Sequence, residues 1–250
     1  MQTVAKPLAL TWLEPGQDFV PVEQAWGPES DAPGLLCAGA DLQPTTLIAA
    51  YRRGIFPWFG ANQPILWWSP DPRMVLDVAH FKCHPSLRKR LRQFRKRPAH
   101  EIRIDSAFDA VIRACAQTPR SGQVGTWIVS SMVEAYQRLH AMGVAHSVET
   151  WIDNRLVGGL YCVVLGRMVF GESMFHRTTD ASKIALAALV CMARHSGVSW
   201  IDCQQNTRHL ASLGAAEVPR SAFLAHLART VDQASAPLAW SNDLWQWLLL

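Results

Sequence analysis

Three apolar runs follow one another with little between them: His146–Ile152, Leu156–Leu165 and Met168–Phe175. Asp153-Asn154 joins the first pair and Gly166-Arg167 the second. Such residues tolerate the backbone of tight hairpin turns, so the spacing predicts a three-stranded antiparallel meander. Ser182–His195 follows, largely apolar, with Asp180 placed to cap its start and Gly197 to end it. A helix with so little polar face must be buried. Val198–Gln204 reads as a further strand, and Thr207–Leu213 as a short helix closed by Gly214. Strands, a buried helix and another strand predict a mixed α/β domain, its sheet largely antiparallel.

The first third has a different texture. Ten of the fifteen prolines fall between positions 7 and 72, which predicts loops. One helix stands out there, Pro44–Arg53: proline suits the first turn, Leu47, Ile48 and Tyr51 form one stripe, and Gly54 supplies the stop. Pro85–Lys96 is a second helix, with only Leu87, Leu91 and Phe94 on its apolar face. Two more follow. One carries Phe108, Val111, Ile112 and Cys115, with Asp105 or Ser106 available as its cap. The other carries Val133, Tyr136 and Leu139, with Ser131 and Glu134 as a capping box.

With 250 residues, 49% of them hydrophobic and 18% charged, the chain can bury a core without cross-links. The longest unbroken apolar run, Ile184–Ala193, is ten residues, far short of a membrane span. No basic stretch and apolar core open the chain, so a soluble, cytoplasmic protein is expected. The six cysteines form no CxxC pair, which favours reduced thiols, and no HExxH motif is present. No metal is expected.

The net charge of +4 hides an asymmetry. Lys82–Arg103 holds nine Lys/Arg and one acid, a local +8, whereas the rest of the chain sums to −4. Lys82, Arg88, Lys89, Arg90, Arg92 and Arg95 lack the interspersed acids of an ordinary solvated face. The apolar stripe is narrow for a membrane-surface helix. A contact with a phosphate backbone fits best. Eleven tryptophans are many for this length, and Trp58, Trp67 and Trp68 cluster in the proline-rich segment. Trp67 and Trp68 are expected to cement the junction with the main domain, whereas Trp58 could also stack on an unpaired base.

Strand alternation sorts the polar residues. Asp202 and Gln204 share one face of their strand, with Cys203 opposite, and Glu172 shares a face with Met174. A carboxylate on an apolar strand must be satisfied, either by a partner that fixes register or by a role in a site, and periodicity does not separate the two. Cys203 reads as packing, and His146 and His209 as structural histidines.

Several blocks resemble one known family. They are GLLCAGADLQ (Gly34–Gln43), YRRGIFPWFG (Tyr51–Gly60), PILWWSPDPRM (Pro64–Met74), GTWIV (Gly125–Val129), AHSVETWI (Ala145–Ile152), FGESMFH (Phe170–His176), IDCQQ (Ile201–Gln205) and HLASLGAA (His209–Ala216). In this order they look like the leucyl/phenylalanyl-tRNA–protein transferases. The resemblance implies transfer of Leu, Phe or Met from aminoacyl-tRNA to the N-terminal Arg or Lys of a protein, which marks it for N-end-rule degradation. It implies no metal or nucleotide cofactor and no membrane partner, and a monomer is expected. It also implies a small N-terminal domain (1–71) and a catalytic domain similar to the GNAT acyltransferases (72–250).

The resemblance carries roles residue by residue. Asp202 and Gln204 correspond to the catalytic pair that orients or deprotonates the acceptor amine. An amide is a poor base, which favours orientation, with Asp202 or the substrate supplying the basic group. Glu172 and Asp202 suit the cationic acceptor, Met174 the apolar side-chain pocket, and Tyr51 and Trp58 the terminal adenosine, where stacking is expected. The basic cluster would hold the acceptor stem. A CoA-dependent enzyme of similar fold would want a glycine-rich loop before the buried helix, and His176–Ile184 contains no glycine. Three positions depart from the family pattern: Ala40 for a glycine, His176 for a serine, and Cys162, which follows Tyr161, for a glycine.

Overall fold

The computed structural model describes residues 10–118, 128–234 and 238–249; Gly125–Trp127 of the GTWIV block lie outside them. The N-terminal segment builds a small sheet from β1 (Thr11–Leu13), β2 (Leu35–Gly39), β3 (Phe56–Pro57) and β4 (Leu66–Trp68), in the order β1-β2-β4-β3. Helix α1 (Pro44–Arg52) packs beside it, with proline in its first turn and Gly54 at φ +72° behind it, as the sequence predicts. Trp67 is fully buried against Phe19, and its Nε1 donates to the Gly39 carbonyl at 3.0 Å. A fused ring with its N–H satisfied suits the core of this small sheet.

The second sheet has seven strands: β5 (Arg73–Asp77), β6 (His100–Ile104), β7 (Ala145–Ile152), β8 (Arg155–Leu165), β9 (Met168–His176), β10 (Trp200–Gln204) and β11 (Ala216–Val218). Their order is β11-β5-β10-β9-β8-β7-β6, and every pairing is antiparallel except β9 with β10. The predicted meander is therefore present as β7-β8-β9. Asp153 and Asn154 both sit at positive φ in its first turn.

Helices α2 (Pro85–Arg95), α3 (Phe108–Gln117), α4 (Ser130–Ala141), α5 (Ala181–His195), α6 (Arg208–Ser212), α7 (Arg220–Thr230) and α8 (Gln246–Leu249) complete the fold. Residues of α1, α3, α4, α7 and the small sheet share one apolar cluster on one face of the large sheet. Those of α2, α5 and the C-terminal segment share the other. Twelve of the fifteen residues of α5 are buried, as expected of a helix without a polar face. Its first turn lies tight on β8, where a Cβ on Gly158 would come within 2.5 Å of the Ala181 Cβ. The C-terminal segment docks as well: Trp245 is fully buried and Arg194 lies over the Trp247 ring at 4.9 Å.

The predicted helix caps are corrected. Asp180 adopts a left-handed backbone and accepts from Lys183 Nζ at 2.9 Å rather than from a backbone N–H. Helix α4 begins at Ser130 with Val129 at its cap position, so Ser131 lies inside the helix rather than at its cap. At α3 neither Asp105 nor Ser106 is the cap. Glu149 of β7, fully buried, instead accepts the Ala107 N–H at 2.7 Å and the hydroxyls of Ser106 and Ser147. A carboxylate at a helix N-terminus satisfies an orphan donor and meets the positive end of the dipole, and the fold delivers this one from a distant strand. Asp105 binds His146 Nδ1 at 2.7 Å, which gives that histidine a structural place.

Candidate active site

β9 and β10 pair at only two positions, Val169 with Ile201 and Phe170 with Asp202. Beyond them β9 runs on to His176, held by β8 alone, and the two parallel strands part. Each strand carries a bulge at this point. Between β8 and β9 the register passes from Cys162–Gly171 to Tyr161–Ser173, which leaves Glu172 without an opposite residue. Between β5 and β10 it passes from Val75–Asp202 to Met74–Gln204, which leaves out Cys203. Bulges re-aim side chains and end pairing, and here they do both.

The bulge overturns one expectation. Glu172 and Met174 do not share a face, because the extra residue shifts the alternation. Glu172 turns to the face of Tyr51, Tyr136 and Phe170, whereas Met174 packs with the α5 side. The two flank the parting of β9 and β10 from opposite faces of the sheet.

Glu172 is half-buried and densely hydrogen-bonded. Tyr51 donates to its Oε1 at 2.7 Å, Tyr136 to its Oε2 at 3.0 Å, and Gln204 Nε2 to Oε1 at 3.3 Å. Burial pushes its pKa up to about 7, assisted by the charge of Asp202 and opposed by the two tyrosine donors and Arg73. A carboxyl group poised there exchanges a proton readily near neutral pH.

Asp202 has a different environment. It is fully buried, and Arg73 Nε and Nη2 bind its two oxygens at 2.8 and 2.7 Å. The guanidinium also donates to the Gly54 carbonyl at 3.1 Å and lies over the rings of Phe56 and Phe223. With both oxygens held by a cation, Asp202 is laid out neither as a free base nor as a direct contact for the acceptor, as the sequence reading allowed. It accepts the Gln204 N–H at 3.0 Å, and Gln204 sits at φ +56°. A non-glycine residue in the left-handed region needs such support, and the kink aims the Gln204 amide at Glu172. Cys203 packs with the α5 side, where burial drives its thiol pKa far up, so it is no nucleophile.

Tyr51 is fully buried against Phe170, so its ring faces are closed to a stacking base, contrary to expectation; it offers its hydroxyl instead. Trp58 is half-buried, edge-on to Trp68 at 5.3 Å, and its backbone carbonyl holds the Trp68 indole N–H. Two residues of the constellation escape sequence reasoning. Arg73 reads as a strand-edge cation until the fold closes over it. Tyr136 reads as part of a helical stripe, although most buried phenols find a partner for their hydroxyl.

Lys82, Arg88, Lys89, Arg90, Arg92 and Arg95 are all exposed, while Leu87, Leu91 and Phe94 are buried beneath them. Among the described residues one ion pair reaches these six, Arg90 with Asp180 at 3.7 Å. His209 is exposed on α6, its pKa held down by partial desolvation and the nearby Lys183 and His176. Among the described residues no cluster of His, Cys, Asp and Glu could hold a metal ion, and no helix is long and apolar enough to cross a membrane.

Residues 75–228 match the family described as leucyl/phenylalanyl-tRNA protein transferase, and residues 40–71 match the family described as its N-terminal domain. A leucyl/phenylalanyl-tRNA–protein transferase from Polaromonas sp. is 60% identical over 243 residues, 97% of this chain and 95% of that protein. One from Burkholderia ambifaria is 58% identical over 232 residues, 93% of this chain and 91% of that protein. Similar solved structures include a GCN5-related N-acetyltransferase from Kribbella flavida, with a TM-score of 0.35 and 10% identity over 70% of this chain and 60% of that one.

Proposed function

Because the chain belongs to the leucyl/phenylalanyl-tRNA–protein transferase family, and so is an aminoacyltransferase, we propose a specific reaction for it. It moves Leu, Phe or Met from aminoacyl-tRNA to the N-terminal Arg or Lys of an acceptor protein. The enzyme works as a cytoplasmic monomer, and its products enter N-end-rule degradation.

The observation that carries this reading is the placement of Glu172, a half-buried carboxyl group beside the Gln204 amide where β9 and β10 part. A cationic N-terminus finds there both a charge partner and a hydrogen-bonding amide. The ester on tRNA is already activated, so the protein needs only to hold the amine against the carbonyl carbon and assist loss of its proton. That amine has a pKa of roughly 8 and needs modest help. Asp202 serves by holding Gln204 in its kinked backbone. Gln204 orients the nucleophile, Met174 borders the side-chain pocket, Trp58 offers an aromatic surface to the terminal adenosine, and Tyr51 acts through Glu172. The exposed cations of α2 hold the acceptor stem through phosphates, a contact blind to sequence and suited to several tRNAs.

The test is transfer of labelled leucine from Leu-tRNA to a peptide beginning with Arg, run beside a peptide beginning with Ala and beside Gln204→Ala protein. Transfer confined to the Arg peptide and weakened in the variant is the expected result. Salt-sensitive binding of charged tRNA without any transfer would sink the reading in favour of an RNA-binding module.

A further inference from the structure

The hydroxyls of Tyr51 and Tyr136 do more than donate to Glu172; they also touch each other, within hydrogen-bond distance. Three groups from three elements, α1, α4 and β9, thus form a closed ring of contacts: Tyr51 to Glu172 Oε1, Glu172 Oε2 to Tyr136, and Tyr136 to Tyr51. Counting protons shows what such a ring can do. With Glu172 ionised, the two phenols supply two hydrogens, and both go to the carboxylate. With Glu172 protonated, three hydrogens serve three contacts, and every group donates once and accepts once. The protonated state fills all three contacts, whereas the ionised state keeps a phenol donor on each carboxylate oxygen and leaves the Tyr51–Tyr136 contact without a hydrogen; passage between them turns the hydroxyl rotors. Donors already in place on both carboxylate oxygens lower the reorganisation cost of a proton transfer.

We propose that Glu172 takes one proton from the acceptor's α-ammonium within this ring, and that Tyr136 is the positioning residue that keeps the ring closed. The inference rests on the transferase reading and assigns its base. The ionised carboxylate accepts one proton from the ammonium, leaving a neutral amine. The amine lone pair attacks the ester carbonyl carbon, the C–N bond forms and the bond to the ribose oxygen breaks. That oxygen leaves as an alkoxide and takes back one proton. The second proton of the nitrogen goes to solvent, and the product amide keeps one.

The charged and titratable groups around Glu172 come from each packed element: Tyr51 from α1, Tyr136 from α4, Tyr161 and Cys162 from β8, Arg73 from β5 and Asp202 from β10. The buried Arg73–Asp202 pair is internally neutral, and both tyrosines are held well above the usual phenol range by burial and by Glu172 itself. Glu172 is therefore the member of this group that changes charge near neutral pH.

The test compares wild type, Tyr136→Phe, Tyr51→Phe and Glu172→Gln by kcat against pH for leucyl transfer to the Arg peptide, together with the infrared carboxyl band of the free enzymes. The amine of the peptide titrates alike in all four, so differences belong to the protein. Tyr136→Phe removes a donor to the ionised form and is expected to move both the acid limb and the carboxyl midpoint up by about one pH unit. Glu172→Gln should lose the carboxyl band and the carboxyl's share of the acid limb, leaving only the limb of the peptide amine, with kcat lower by about 10²-fold or more. A lower kcat in Tyr136→Phe with an unmoved limb and midpoint would reduce Tyr136 to packing and overturn the proposal, as would full activity of Glu172→Gln. Absence of transfer by wild type would overturn the transferase reading itself, a failure the infrared titration of the free enzyme keeps separate.

Discussion

Arg73 and Asp202 meet side by side inside the protein, two nitrogens on two oxygens at 2.8 and 2.7 Å, with neither side chain open to solvent. Burying two charges is costly, and a paired geometry of this quality offsets that cost without guaranteeing a net gain. The pair joins the first strand of the large sheet to the strand that carries Gln204, and through Gly54 to the end of α1. Its consequence is positional: Asp202 can hold the Gln204 backbone because Arg73 holds Asp202.

Asp202→Ala strands the Arg73 charge and should cost about 3–5 kcal/mol of stability. Chemical denaturation would measure it. Arg73→Met combined with Asp202→Asn removes the charge and keeps an acceptor for the Gln204 N–H, so most of the stability should return. If the double variant is as unstable as Asp202→Ala, the pair is not the source of the loss.

Glu172 also makes stability depend on pH. Its pKa is raised from 4.5 to about 7 in the folded protein. Between those values the folded state binds more protons than the unfolded one, so stability falls as pH rises through that window and is level above it. Histidines with lowered pKa, such as His100 and His226, act with the opposite sign near their own range. The difference between wild type and Glu172→Gln isolates the carboxyl. Subtracted melting curves from pH 4.5 to 8 should show the wild type losing stability relative to the variant as pH rises, and parallel curves would contradict the shift.

The cations of α2 should behave as phosphate contacts. Arg88→Ala, Lys89→Ala and Arg92→Ala should each weaken tRNA binding and lower the slope of log K against log salt by about 0.7–0.9. Transfer rates at saturating tRNA should hardly change. An unaltered salt slope in the triple variant would remove α2 from the interface.

Ala40 has φ +56°, the left-handed region, at the position where the sequence departs from glycine. A Cβ there is strained, and glycine is free of that strain. Ala40→Gly should raise stability by about 0.5–1 kcal/mol, the relief of strain being partly offset by the looser unfolded chain. A loss of stability would mean that the Ala40 methyl is held by packing.

Much of this protein is legible in its sequence. The β7-β8-β9 meander follows from apolar runs and two turn dipeptides, because strand and turn chemistry act within a few residues. The buried α5 follows from fifteen residues without a polar face, and the basic face of α2 from its composition. Blocks of rare residues identify the family. Tertiary structure decided what passes between elements. The caps at α3 and α5 could not be read, because Glu149 reaches α3 from a strand some forty residues away and Asp180 turns to Lys183. Strand alternation put Glu172 with Met174, and a single bulge residue separated them, since one added residue reverses every side chain beyond it. Alternation names candidate carboxylates, but their environments come from other parts of the chain. Arg73 made Asp202 an internal counter-ion, while Tyr51 and Tyr136 made Glu172 the group that titrates. Charge and proton affinity are set by what lies within a few ångströms in space, and only the folded chain brings those neighbours together.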